Sequence, residues 1–266
     1  MNILRRELAP ISTEGWGAID AMAKKTLIAN LSGRKFVDID GPHGLNYDSV
    51  SIGRLSIKKP LLGGGVGYGI RQVLPLVETR VKFVLLTWEL DNLARGSKDI
   101  HLDSLVDACR EIAKFEDTAL FDGLETASIV GLHQSVKGEP LQLSLEPDAI
   151  TDALTEAQIR MIKDGVAGPA HLVVSAPLWK FLARGAPGGT LRTTIENQIG
   201  GQVLYSEDVK DALLVAGRGG DLTLTVGQDF AVGYHSHTTS EISLYLTESF
   251  AFRVVAPEAL VRFTLR

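Results

Sequence analysis

Six histidines, one cysteine and 32 carboxylates are the side chains of this 266-residue sequence with obvious chemical potential, so their spacing is the first question. His235 and His237 are the only close histidine pair. Two apart on a strand they share a face, with Glu241 as a third candidate ligand. A zinc-type site needs three or four converging ligands, and Ser236, Thr238, Thr239 and Ser240 read as an exposed turn, so no metal site is expected. Glu89 with Asp91, and Glu116 with Asp117, are spaced as carboxylate pairs. Neither pair sits among sequence neighbours that would plainly shift a pKa, and structural ion pairing is the expected role. Trp88 could stack on a flat ligand, but packing at a subunit contact is the expectation for an aromatic in that setting. Cys109 falls in a helical pattern with Leu105, Val106 and Ile112 and reads as a small buried hydrophobe; a single cysteine excludes an internal disulfide.

The common catalytic signatures are absent: no HExxH, CxxC, GxSxG or Walker loop occurs. The run LLGGGVGYG, Leu61 to Gly69, has the glycines of a phosphate cradle without the required spacing, and reads as a hairpin tip. No catalytic residue, cofactor or enzymatic activity is expected. The apolar fraction of 45% is that of a globular protein, and a net charge of -5 argues against a general nucleic-acid binder. Arg5, Arg6 and Glu7 stand where a signal peptide would need an apolar core, and no run reaches membrane-spanning length, so a cytoplasmic location is expected.

The elements that would carry any site begin with the stretch Ser12 to Pro42. Ser12 or Thr13 can cap a helix whose stripe is Trp16, Ile19, Ala23, Leu27 and Leu31. Gly33 is placed for a left-handed stop, and Phe36 to Asp40 for a short strand closed by Gly41-Pro42. Further strands are predicted from Tyr47 to Ile57, from near Arg71, and from Pro75 to Leu86, with a turn at Trp88 to Asn92. Leu102 to Phe121 is the longest helical pattern, stopped at Gly123. Pro147 opens another that runs to Lys163. Short strands and helices alternate from His171 to Val215, and longer strands follow at Leu222 to Val226, Ile242 to Leu246 and Ala251 to Val255. The class is α+β.

Several of these stretches together resemble the encapsulins, in particular the compact family 1, linocin-like shell proteins, which share the fold of tailed-phage major capsid proteins. The resemblance lies in LRRELAPIS, the Trp16 helix, GRKFVDIDGP, LPLVETRVKF, WELDNLARG, GLHQ, GGDLTLTVGQDFAVGY and TESFAFRVVAPEAL, in order along essentially the whole chain. It implies an N-terminal helix and the start of a peripheral domain at 1–46, an extended loop at 47–74 and more peripheral domain, with its spine helix, at 75–130. An axial domain at 131–217 and a return to the peripheral domain at 218–266 complete it. It also implies a homo-oligomeric icosahedral shell, the smallest having about sixty subunits. A cargo enzyme, a dye-decolourising peroxidase or a ferritin-like protein with the peroxidase preferred, would be held by its C-terminal targeting peptide. Matching groove positions are Leu27, Ile28, Leu31, Arg34, Asp38, Ala231, Val232 and Tyr234; the alternative is that Leu27 and Leu31 are ordinary core and Arg34 pairs with Asp38. Arg184, Gly185, Ala186, Pro187, Gly188, Gly189 and Thr190 would form a pore loop, or else a plain surface loop. The runner-up is a phage or prophage capsid protein enclosing DNA.

Overall fold

The computed structural model describes residues 3–58, 66–186 and 189–266. Helix α1 (Thr13–Asn30) starts as its sequence dictates: the Ser12 hydroxyl accepts the Gly15 N–H at 3.0 Å, and Ile19, Ala23 and Leu27 are buried. Its end differs from the expectation. The helix stops at an extended Leu31, and Gly33 does not take a positive φ but opens a short 3₁₀ turn. A Cβ at Gly33 would stand 2.5 Å from Leu120 Cδ2 and 3.0 Å from Asp117 Oδ1, so glycine is there for close approach to a later helix.

Strand β1 (Asp38–Asp40) follows, then a hairpin of β2 (Ser49–Lys58) and β3 (Tyr68–Pro75) whose strands, among the described residues, pair only with each other. Strand β4 (Val77–Leu86) leads into α2 (Thr87–Ala94), a helix where the sequence suggested only a turn. The long helix α3 (Asp103–Asp122) ends at Gly123 with φ 82°. Then come α4 (Leu132–Ser135), β5 (Leu141–Leu143), α5 (Pro147–Lys163), β6 (Ala170–Val174), α6 (Ala176–Leu182), the two-residue strands β7 (Gly185–Ala186) and β8 (Gly189–Thr190), and α7 (Leu191–Ile199). The chain closes with β9 (Val203–Tyr205), β10 (Ala212–Ala216), β11 (Leu222–Val226), β12 (Ala231–His237), β13 (Glu241–Val254) and β14 (Leu260–Leu265).

Two five-stranded sheets result. The first runs β1-β11-β13-β12, with β4 on the other edge of β13 in a register from Leu86 opposite Glu241 to Val77 opposite Phe250. The second runs β5-β14-β10-β6-β9. β13 is one continuous strand where the sequence suggested two, because its polar middle, Thr247 to Ser249, is buried. β14 departs from the expected return of 218–266 to the first unit: Leu260, Val261 and Phe263 are buried in the second sheet, paired to β10 and β5.

One core lies behind the second sheet, with α5, α6 and α7. Another packs α1 and α3 on the first sheet and contains Cys109, fully buried. A third joins the sheets, with Phe250 and Phe252 meeting Val173 and Leu213. The hairpin is the exception: Leu55, Ile57, Ile70 and Val73 are all at least 50% exposed. Among the described residues no helix is long and apolar enough to cross a membrane.

Candidate binding groove

Between α1 and the start of β12 lies a groove of about 650 Å³. One wall is the helix face carrying Ala23, Leu27, Ile28 and Leu31; the other is Phe230, Ala231 and Val232, with Leu246 behind. Leu27 and Leu31 are each 6% exposed and belong to the core, whereas Ile28 is 62% exposed. Ile28 is thus an apolar side chain on a wall without cover within the subunit. Arg6, Lys24, Lys35, Asp20 and Asp229 ring the opening.

Arg34 closes the groove where the chain leaves α1. Its Nε donates to both Glu116 oxygens at 3.0 Å, and its Nη2 donates to Glu116 Oε2 at 2.7 Å and to Glu248 Oε1. Its Nη1 reaches Asp229 Oδ1 at 3.0 Å, and the guanidinium stacks 4.6 Å over the Phe230 ring. One residue thereby ties α3, β13 and the turn before β12 to the end of α1. Burial pulls the Arg34 pKa down, but the hydrogen bonds and charge of Glu116, with Glu248 and Asp229, outweigh it and raise it. Glu116 and Glu248 are both fully buried. Burial first, then the negative charge of Glu116, holds Glu248 well above the usual carboxylate range.

Beside this hub, Asp117 accepts from the Ser32 N–H at 2.8 Å, the Ser32 hydroxyl at 2.7 Å and the Gly33 N–H at 2.9 Å. Burial still pushes its pKa up to about 6 against those bonds. The expectation that nothing around this pair shifts a pKa is therefore corrected at Asp117. Their partners lie more than 80 positions away in the chain, and the sole local hint is two acids at helical spacing within an otherwise apolar stripe.

Of the eight residues suggested for the groove, Leu27, Ile28, Leu31, Arg34, Ala231 and Val232 line it together. Asp38 does not. Its carboxylate accepts the Gly220 N–H at 2.7 Å and lines a separate cleft with Arg218 and Asp221, so it neither joins the groove nor pairs with Arg34. Tyr234 lies just beyond, with its hydroxyl 2.6 Å from His237 Nδ1. His235 Nε2 is 3.4 Å from Lys82 Nζ, and among the described residues no group of three or more His, Cys, Asp and Glu is arranged to hold a metal ion. Trp88 is 68% exposed, with the Arg95 guanidinium 6.0 Å from its ring. In the suggested pore loop, Gly185 and Ala186 pair with Thr190 and Gly189, and Arg184 stacks on Phe181; Pro187 and Gly188 lie outside the described residues.

This architecture is that of capsid proteins. It is similar to the virus-like particle of Pyrococcus furiosus (TM-score 0.68, 15% identity, 92% of this chain and 98% of that one). It is also similar to the capsid protein of Myoviridae phage XM1 (TM-score 0.58, 11% identity, 89% of this chain and 92% of that one). Within that fold the sequence is more specific. The profile of the family described as "Encapsulating protein for peroxidase" matches residues 1–251. The type 1 encapsulin shell protein of Rhodospirillum rubrum is 37% identical, covering 98% of this chain and 96% of that one. That of Brevibacterium linens is 34% identical over the full length of both. The chain belongs to the encapsulin shell-protein family.

Proposed function

We propose that this chain closes into an icosahedral shell of about sixty copies, which encloses a peroxidase held by a short C-terminal peptide laid in the groove. The observation that carries this is the groove's construction. Apolar walls with an exposed Ile28 stand beside the outer edge of β12, whose only sheet partner among the described residues is β13. An extended peptide needs those two things: a strand edge to bond its backbone and apolar pockets to take alternate side chains. The family's description names a peroxidase, which favours that cargo over a ferritin-like one.

Assembly accounts for the hairpin. Its exposed Leu55, Ile57, Ile70 and Val73 would be an aggregation hazard on a monomer, and a neighbouring subunit in a closed shell covers them. The loop from Arg184 to Thr190 lines a pore for small solutes, and the shell resides in the cytoplasm as a nanocompartment.

Electron microscopy of the protein purified from its native host, with mass spectrometry of what co-purifies, tests the reading. Hollow shells filled with one peroxidase support it; shells packed with DNA favour a capsid, and a monomer overturns assembly. Ile28→Asp tests the groove more cleanly than a charge at the buried Leu31, because position 28 is already in water. Assembled but empty shells are expected, and normal loading overturns the groove assignment.

A further inference from the structure

The segment before α1 crosses the groove's end, and its contacts give it a role. The Tyr234 N–H donates to the Leu4 carbonyl at 2.7 Å, and the Tyr245 hydroxyl donates to the Ile3 carbonyl at 2.6 Å. Tyr245 can reach because its ring lies across Gly233, where any Cβ would collide with it. On the other side, Arg6 Nη2 donates to Asp20 Oδ2 at 2.8 Å, and its guanidinium lies 3.9 Å over the Trp16 ring, both on α1. Between the two anchors Arg5 takes a left-handed conformation, φ 48°, and a 3₁₀ turn at Arg6–Leu8 follows. Residues 3–6 therefore bridge from the sheet to the helix across the end of the groove that Arg6 lines.

The bridge also uses the same strand edge as a groove occupant would. In an antiparallel ladder, alternate residues present their N–H and C=O to the same edge. Tyr234 points its N–H away from β13, to Leu4. The register from Ala231 to Tyr234 is regular, so Val232 presents its backbone to that same outer edge, inside the groove. The next outward position is taken by the chain's own Leu4.

We propose that residues 3–6 are an end-stop. They occupy the continuation of the β12 edge, latched by Arg6 and Tyr245, so that an extended peptide pairs at Val232 and ends its register before Tyr234. This rests on the groove being the cargo site and adds what sets the peptide's position in it. The latch is weak enough to open, since the Arg6 and Asp20 side chains are 30% and 49% exposed and ion pairs in water hold loosely.

Photo-crosslinking on assembled shells tests it. The probe is an end-blocked Leu-Ser-Ile-Ser-Leu peptide with a benzophenone at one end or the other, applied to the wild type and to the Arg6→Ala, Tyr245→Phe double variant. Faster amide hydrogen exchange at residues 3–8 shows that the variant's segment is released, and micrographs show that its shells still form. In the wild type, crosslinks to β12 are expected to stop at Gly233; in the variant they spread to Tyr234 and beyond. Wild-type crosslinks past Tyr234, or an unchanged pattern in a variant with a released segment, overturn the end-stop. No crosslink to α1 or β12 in either protein would instead overturn the groove reading on which it rests.

Discussion

Behind the second sheet, Leu154, Leu172, Leu178 and Ile195 are buried among apolar neighbours. Behind the first, the core is interrupted by Glu116 and Glu248, fully buried on one guanidinium, and by Asp117 on the Ser32–Gly33 turn. The two halves bury similar elements with different chemistry. An apolar core fills space and tolerates small shifts, whereas charges in a dry interior demand fixed partners. A buried ion network adds little stability over an apolar replacement of the same shape, so its use here is to hold a geometry. That geometry is the meeting of α1, α3, β13 and the turn before β12, and it fixes the end of α1 against the start of β12, the two walls of the groove.

Removing the hub's cation should give the largest difference between the halves. Arg34→Met leaves two buried carboxylates without their partner and is expected to cost about 3–5 kcal/mol. Thermal unfolding should show a large drop in midpoint that acid partly restores, as the stranded carboxylates protonate. A loss that is the same at every pH would mean that the network contributes only packing.

Next in size is a cavity in the apolar half. Leu154→Ala, at a fully buried position, should cost about 2–4 kcal/mol from lost burial and the void left behind. Unlike the Arg34 change, its effect should not vary between pH 5 and pH 8, since no titratable group in that core responds. The same pair of melting series measures both variants, and matching pH profiles would erase the distinction between the cores.

Local cues were legible in both halves. The spacing of Leu105, Cys109 and Ile112, and the Pro147 start of α5, announce their helices because each cue is local. What was not legible depends on distance in the chain. Arg34 finds Glu116, Asp229 and Glu248, all at least 82 positions away, where sequence proximity suggested Asp38. Thr247 to Ser249 look like a break between two strands because their burial is set by partners such as the Thr79 carbonyl, 2.7 Å from the Thr247 hydroxyl. Helix α2 was missed because it is eight residues long and has no fully buried side chain to mark an apolar stripe. Six groove residues were recovered through family likeness, which carries tertiary neighbours that periodicity lacks; Asp38 was misplaced because its partner is the backbone of Gly220.

The smallest effect is also the most diagnostic of how the hub is charged. Three carboxylates face one guanidinium, and the fully buried Glu248 has its pKa raised by burial and by Glu116. A carboxyl raised in the folded state contributes stability that is fully present below its unfolded value, 4.5, and lost as pH climbs through its folded value. Glu248→Gln keeps a carbonyl oxygen for Arg34 and carries no proton to lose. The wild-type melting midpoint should therefore fall faster than the variant's between pH 5 and pH 8, so that the variant gains ground as pH rises. Asp117, with its pKa at about 6, falls in the same direction but is present in both proteins and cancels in the comparison. Parallel curves would show that Glu248 is ionised at both ends of the range, and that Arg34 alone balances two buried charges.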